Sequence, residues 1–382
     1  MKSVSIYIHW PFCLSLCPYC DFNSHLSNQI DHEIWLESYK KEIDYFADKI
    51  KGRVIKSIFF GGGTPSLMKP ETVFNIIQKL ASLAEISAST EITLEANPTS
   101  YEAEKFRGFK AAGINRVSIG VQSFQQKGLE ILGRKHSAKE AINAIESASN
   151  LFERYSFDLI YAIPEQTLAQ WQQEIEFALS LAGGHISLYQ LTIEKGTPFY
   201  QLFKNGKLPL PSNDLAANMY EYTSDYLQEH NYKRYEISNY AINGQECVHN
   251  LCYWNYDEYI GIGPGAHSRL HETDAINAVM MLHKPEKWLQ SVAENGHGIQ
   301  SKVTLAKQEV AEEVFMMGTR LETGLSEEKF YQITQSKFLD SLNFKTIEHY
   351  MQQGLVEIQG GALALTNRGL MLHNYLVPRM LL

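Results

Sequence analysis

Strand-like and helix-like periodicities alternate along the first half of this sequence, and that alternation limits the fold more than any other feature. Six short runs rich in β-branched and aromatic residues occur at 3–10 (SVSIYIHW), 54–60 (VIKSIFF), 91–96 (EITLEA), 116–121 (RVSIGV), 156–163 (SFDLIYAI) and 185–193 (HISLYQLTI). Between them, stretches such as HEIWLESYKKEIDYFADKI, ETVFNIIQKLASL and AKEAINAIESASNLF place apolar residues three and four apart, the spacing of one helix face. Such alternation over about 190 residues predicts βαβ units on a parallel sheet. Six units make an open, partial barrel rather than the eight that close a full ring. The predicted fold class is therefore α/β, with a partial (β/α)6 barrel over 1–200, an extension over 201–300 and a small helical, winged-helix-like domain over 301–382. The breaker-rich FYQLFKNGKLPLPS marks the first boundary, and a helix is expected at about 213–231. A strand pair around Gly360–Gly361 and one last helix complete the wing.

In α/β folds ligands gather at the carboxyl ends of the strands. The unusual residues of this chain fall there. Gly61-Gly62-Gly63-Thr64-Pro65 follows the second run, Glu95 ends the third and Gln122 ends the fourth. The first run leads straight into Cys13-Leu-Ser-Leu-Cys17-Pro-Tyr-Cys20, a CxxxCxxC. Of the five cysteines, these three fall within eight residues, and Cys247 and Cys252 lie far away. An odd, clustered set does not read as a disulfide framework. Three thiolates can hold three corners of a [4Fe–4S] cube, leaving one iron open to the amine and carboxylate of an amino acid. The alternative is zinc, which needs a fourth ligand such as His9 or His25, because Cys247 and Cys252 make no matching pair. The glycines would let backbone approach a ligand closely, although GGGTP by itself also fits an ordinary β–α turn.

CxxxCxxC after a first strand, with GGGTP after the second, resembles the radical S-adenosylmethionine (SAM) superfamily. The segments IYIHWPFC, PYCDF, GGGTPS, LEANP, GVQSF, LGRKH and FDLIYAIP run in the order of its coproporphyrinogen III dehydrogenase-like branch, over essentially the whole chain. The resemblance implies a cluster on Cys13, Cys17 and Cys20. It also implies SAM contacts from Tyr7, Tyr19, Gly62, Gly63, Thr64, Glu95, Gln122, Arg134 and Asp158. The residue chemistry agrees for most of them. Glu95 and Gln122 can accept from ribose hydroxyls or an ammonium, and Arg134 can grip a carboxylate. Asp158 has an alternative role as the cap of the turn that follows it.

Within that branch two functions compete. One is oxidative decarboxylation of coproporphyrinogen III by an oxygen-independent dehydrogenase. The other is heme binding and transfer, as in the HemW-type heme chaperone family. The oxidases carry a fourth cysteine two residues beyond the third, where this chain has Phe22, and a long segment before the cysteine loop, where it has 12 residues. His249-Asn250-Leu251-Cys252-Tyr253-Trp254 also resembles the HNxxYW signature of the chaperones. On these grounds the expected function is a heme chaperone that delivers heme to apo-hemoproteins of the respiratory chain, with SAM cleavage left open. His249 is the candidate heme ligand, with His267 and Cys252 behind it. A hydrogen-bonded core histidine is the competing reading of His249. The resemblance further implies a homodimer and transient peripheral membrane contact. A net charge of −9 argues against non-specific nucleic-acid binding, so the wing is expected to pack rather than read DNA. No run of 18 apolar residues and no signal peptide is evident, so the expected location is the cytoplasm.

Overall fold

The computed structural model describes residues 2–27, 29–273 and 275–382. The six runs form β1 (Ser3–Trp10), β2 (Val54–Gly62), β3 (Glu91–Ala96), β4 (Arg116–Gln122), β5 (Arg154–Tyr161) and β6 (His185–Gln190). They pair in parallel, each with the next in chain order. β5 ends at Tyr161, before the end of its apolar run, because Ala162 turns the chain at φ 55°. The connecting helices include α1 (His32–Tyr45), α2 (Pro70–Ala81), α3 (Ala138–Leu151) and α4 (Leu168–Leu181). α1 starts where the Asp31 carboxylate accepts from two backbone N–H groups, and α3 and α4 start with reciprocal capping boxes at Ser137/Glu140 and Thr167/Gln170.

Alternation along each strand separates two environments. On β1, Val4, Ile6, Ile8 and Trp10 are buried in the main core, and Trp10 packs against Trp35 and Tyr39 of α1. The other face of the strands turns to the barrel lumen and is polar. Ser57 Oγ donates to Ser5 Oγ at 2.9 Å, and the Ser118 and Ser156 hydroxyls pair at 2.9 Å. Small hydroxyl residues leave room inside the barrel for side chains from elsewhere.

The extension continues the same sheet on both edges. After α5 (Asn213–Glu229), β7 (Lys233–Glu236) and β8 (Asn239–Ala241) add antiparallel strands beyond β6. After α6 (Val248–Trp254), β9 (Tyr259–Ile262) pairs in parallel with β1. β10 (His267–His271), β11 (Ile276–Met281) and β12 (Ile299–Thr304) follow antiparallel. Among the described residues this is one twelve-stranded sheet, ordered β12-β11-β10-β9-β1-β2-β3-β4-β5-β6-β8-β7. β9 is thus a seventh parallel strand beside the six read from the sequence. Glu42 of α1 locks the extension to the barrel. Its buried carboxylate accepts from the N–H groups of Gly263 and Gly298 and from the indole of Trp288 on α7 (Pro285–Asn295).

The C-terminal region has its own core, built around Val314, Phe315, Phe330, Ile347 and Leu363. Its helices are α8 (Lys307–Gly318), α9 (Glu327–Thr334), α10 (Phe344–Gln352), α11 (Asn367–Met371) and α12 (His373–Met380). The wing hairpin is β14 (Val356–Gln359) and β15 (Ala362–Leu365), joined at Gly360 and Gly361 with φ 57° and 80°, as a tight two-residue turn requires. A short β13 (Leu325–Ser326) adds a third strand. The single last helix expected from the sequence is broken at Leu372 into α11 and α12. No helix among the described residues is long and apolar enough to cross a membrane.

Candidate functional site

The three clustered cysteines lie on the loop that leaves β1, above the carboxyl ends of the strands. They share a cavity of about 360 Å³ with eight of the nine residues read as SAM contacts: Tyr19, Gly62, Gly63, Thr64, Glu95, Gln122, Arg134 and Asp158. Tyr7 is the exception. Its ring sits lower in the barrel, stacked on Phe59, and its hydroxyl bonds His9 Nδ1 at 3.0 Å. His9 in turn contacts the Asn23 carbonyl at 2.9 Å, so a lumen-facing chain connects β1 to the end of the cysteine loop.

The loop is held by the strand ends. The Thr64 hydroxyl donates to Cys13 Sγ at 3.3 Å, and Arg134 Nη1 donates to Cys17 Sγ at 3.4 Å. Asn97 ties these donors together. Its Nδ2 donates to the Thr64 hydroxyl at 3.0 Å, and its Oδ1 accepts from Arg134 Nη2 at 2.7 Å. Asn97 lies in the LEANP segment, and nothing local to that segment signals its bridging role, because both partners are remote in sequence. Burial pushes the Cys13 and Cys20 thiols up, so binding a metal core would release their protons. The donor set fits an iron–sulfur core. Three free thiols line one wall, two of them already receive hydrogen bonds, and three ligands leave one of four irons open. Among the described residues, no three His, Cys, Asp or Glu side chains converge on a point that would hold a single ion.

The glycine turn is fixed by close packing. Gly62 has φ 110°, and a Cβ there would lie 2.5 Å from the His9 ring. A Cβ on Gly63 would lie 2.7 Å from the Phe12 carbonyl oxygen, at the root of the cysteine loop. Gly62→Ala is therefore expected to destabilise the protein by about 1–3 kcal/mol, from left-handed strain plus displacement of His9, measured as a lower denaturation midpoint. Gln122 is itself left-handed, with φ 70° at a strand irregularity that turns it into the cavity.

Two carboxyl groups face the cavity floor. Glu95 accepts from the Gly62 N–H at 3.2 Å and is pushed up to about 8, first by burial and then by Asp158. Asp158 is pushed up to about 6 by burial, against the Ser187 and Ser118 hydroxyls and Arg116 that favour its charge. A carboxyl whose pKa is raised on folding contributes fully below its unfolded pKa and loses that contribution as pH rises through the folded one. Glu95 should thus contribute a decline in the stability of the ligand-free protein between about pH 4.5 and about pH 8. Glu95→Gln is expected to flatten that decline, read from thermal unfolding at about pH 5 and about pH 8.5. Carboxyl groups poised in this way suit a ligand that brings its own positive charge.

The heme candidates lie elsewhere. His249 is on α6, which closes the barrel at the amino ends of the strands. Glu91 at the start of β3 accepts from the N–H groups of Val248 and His249 and pairs with Arg154. The His249 ring is 1% exposed and stacks on Phe59. Its Nδ1 lies 2.8 Å from Ser57 Oγ and its Nε2 lies 2.9 Å from the Tyr253 hydroxyl. Burial lowers its pKa to about 3, so it stays neutral. From the level of Ser57 to that of Gly62 the strand rises roughly 15 Å, so His249 and the cysteine cavity occupy opposite ends of the barrel. Cys252 is buried, with its sulfur against the Asp257 and Glu258 carbonyls. His267 is exposed at the start of β10. Neither lines the cysteine cavity.

A six-unit parallel barrel with a three-thiol loop and a glycine turn at its carboxyl mouth defines a radical SAM protein. Residues 7–178 match the model of the Radical SAM superfamily, and residues 305–372 match that of the HemN C-terminal domain. The chain is 36% identical over 376 residues to the mitochondrial radical S-adenosyl methionine domain-containing protein 1 of Bos taurus, spanning 97% of this chain and 85% of that one. It is 34% identical over 372 residues to the heme chaperone HemW of Bacillus subtilis, spanning 97% of each. To the heme chaperone HemW of Escherichia coli it is 40% identical over 272 residues, or 71% of each chain. The chain belongs to the radical SAM family of these relatives, a family that implies a [4Fe–4S] cluster and SAM. Its fold matches that of coproporphyrinogen III oxidase (HemN) from Escherichia coli with a TM-score of 0.83 at 20% identity, covering 99% of this chain and 90% of that one.

Proposed function

We propose that this protein is a heme chaperone, which binds heme and passes it to apo-hemoproteins of the respiratory chain from a radical SAM scaffold. The observation that carries this reading is its relation, along 97% of both chains, to a relative named heme chaperone HemW. Cys13, Cys17 and Cys20 hold the cluster, and Gly62, Gly63, Thr64, Glu95, Gln122, Arg134 and Asp158 surround SAM. When bound, the cluster supplies an open iron and an electron. The chain's own residues do the positioning. Thr64 and Arg134 donate to the cysteine sulfurs, Asn97 holds both donors, and Glu95 and Asp158 present carboxyl groups to a cationic ligand. Residence in the cytoplasm, a homodimer and transient membrane contact belong to the same proposal.

The competing reading is an oxygen-independent coproporphyrinogen III dehydrogenase, favoured by the fold match to HemN. Against it stands Phe22, 65% exposed at the position where those oxidases carry a fourth cysteine. The test uses the full chain with its cluster reconstituted without oxygen. Saturable hemin binding, with no protoporphyrinogen formed from coproporphyrinogen III and SAM, supports the chaperone. Turnover of coproporphyrinogen without specific hemin binding overturns it.

A further inference from the structure

A second and larger cavity opens beside the cysteine loop. It encloses about 980 Å³ between the carboxyl ends of β3–β6, α5 and the C-terminal domain. That is the scale of sites that bury organic ligands of several rings. Tyr19, Cys20 and Phe22 line both cavities, so the two communicate.

The two ends of this cavity differ in charge. Glu95, Asp158, Asp21, Glu194 and Asp214 stand on the side of the barrel and α5, and Arg320 and Arg368 stand on the C-terminal side. The wall between them includes Ile160, Tyr189, Tyr220 and Leu370, which offer apolar and aromatic surface. Arg320 is fixed from behind. It pairs with Glu236 at 3.1 Å, and its guanidinium lies 4.3 Å from the Trp254 ring. Arg368 is exposed and forms no ion pair among the described residues. A flat apolar ligand with carboxylates along one edge would be oriented by this polarity. Its carboxylates gain at the arginine wall, and the acidic end offers them no cation.

We infer that heme binds in this interdomain cavity with its propionates on Arg368 and Arg320 and its opposite edge toward the cysteine loop. The inference rests on the chaperone reading above and adds the location and polarity of the ligand. It also gives the HNxxYW segment a role without iron ligation. His249 closes the barrel base, and Trp254, at the other end of α6, holds Arg320 in place.

The experiment titrates hemin and hemin dimethyl ester, which lacks the propionate charges, into the cluster-loaded full chain, read by absorption. The unmodified chain should bind hemin more tightly than the ester. Arg368→Glu should weaken hemin by about tenfold or more, the scale of one lost charge-assisted bond, and leave the ester unchanged. Ala217→Trp, which fills the cavity from α5, should weaken both. Hemin affinity unaltered by Arg368→Glu, or both affinities unaltered by Ala217→Trp, overturns the inference and leaves the chaperone reading standing. Failure of the unmodified chain to bind hemin saturably overturns that reading and the site with it.

Discussion

Cys17→Ala is expected to leave reconstituted protein with iron and acid-labile sulfide near background and to weaken SAM binding by more than about 100-fold, the upper end of what loss of a supporting outer partner costs. Cys17 accepts a charge-assisted bond from Arg134, whose other amine group is anchored on Asn97 and Gly120. The substitution therefore removes one of the three proposed ligands and leaves the guanidinium without the sulfur it donates to. The fold itself should survive, because Cys17 is partly exposed on a loop outside the core. Iron analysis and an unfolding curve on the same sample separate the two effects. Full cluster content in the variant would remove Cys17 from the ligand set.

His249→Ala should act in the opposite way, on stability rather than on the cluster. The loss is expected to be about 2–4 kcal/mol, from a cavity at the barrel base and from stranded Ser57 and Tyr253 hydroxyls. Thermal unfolding reads the loss directly. Hemin affinity, measured at a temperature where the variant is still folded, should change little. A loss of hemin binding without a loss of stability would make His249 a ligand and would require α6 to leave the barrel.

Much of the site was legible because its signals are short and local. CxxxCxxC and GGGTP each place several groups within one loop, and residues that end strands of a parallel sheet share a mouth whatever the details of packing. Glu95 and Gln122 follow from that rule alone. The loop geometry is likewise written into the glycines at 62 and 63, where a side chain would strike His9 or Phe12.

What the chain order concealed are partnerships across long separations. β9 is only four residues long, too short to stand out as a strand, and it joins the sheet because its register fits the free edge of β1. His249 and Ser57 are 192 positions apart, so nothing near HNxxYW shows that both ring nitrogens are already engaged. The larger cavity draws its walls from strand ends, α5 and the C-terminal helices, and its charge polarity exists only once these meet. The α/β architecture, the clustering of three thiols in one loop and the gathering of Gly62, Glu95 and Gln122 at one mouth were thus determined by local pattern and by strand-end placement, which hydrophobic periodicity sets residue by residue. Which histidine is buried, which arginines line the larger cavity and how charge is distributed along it were decided by tertiary packing, because burial and electrostatic polarity depend on neighbours that the chain brings together only on folding.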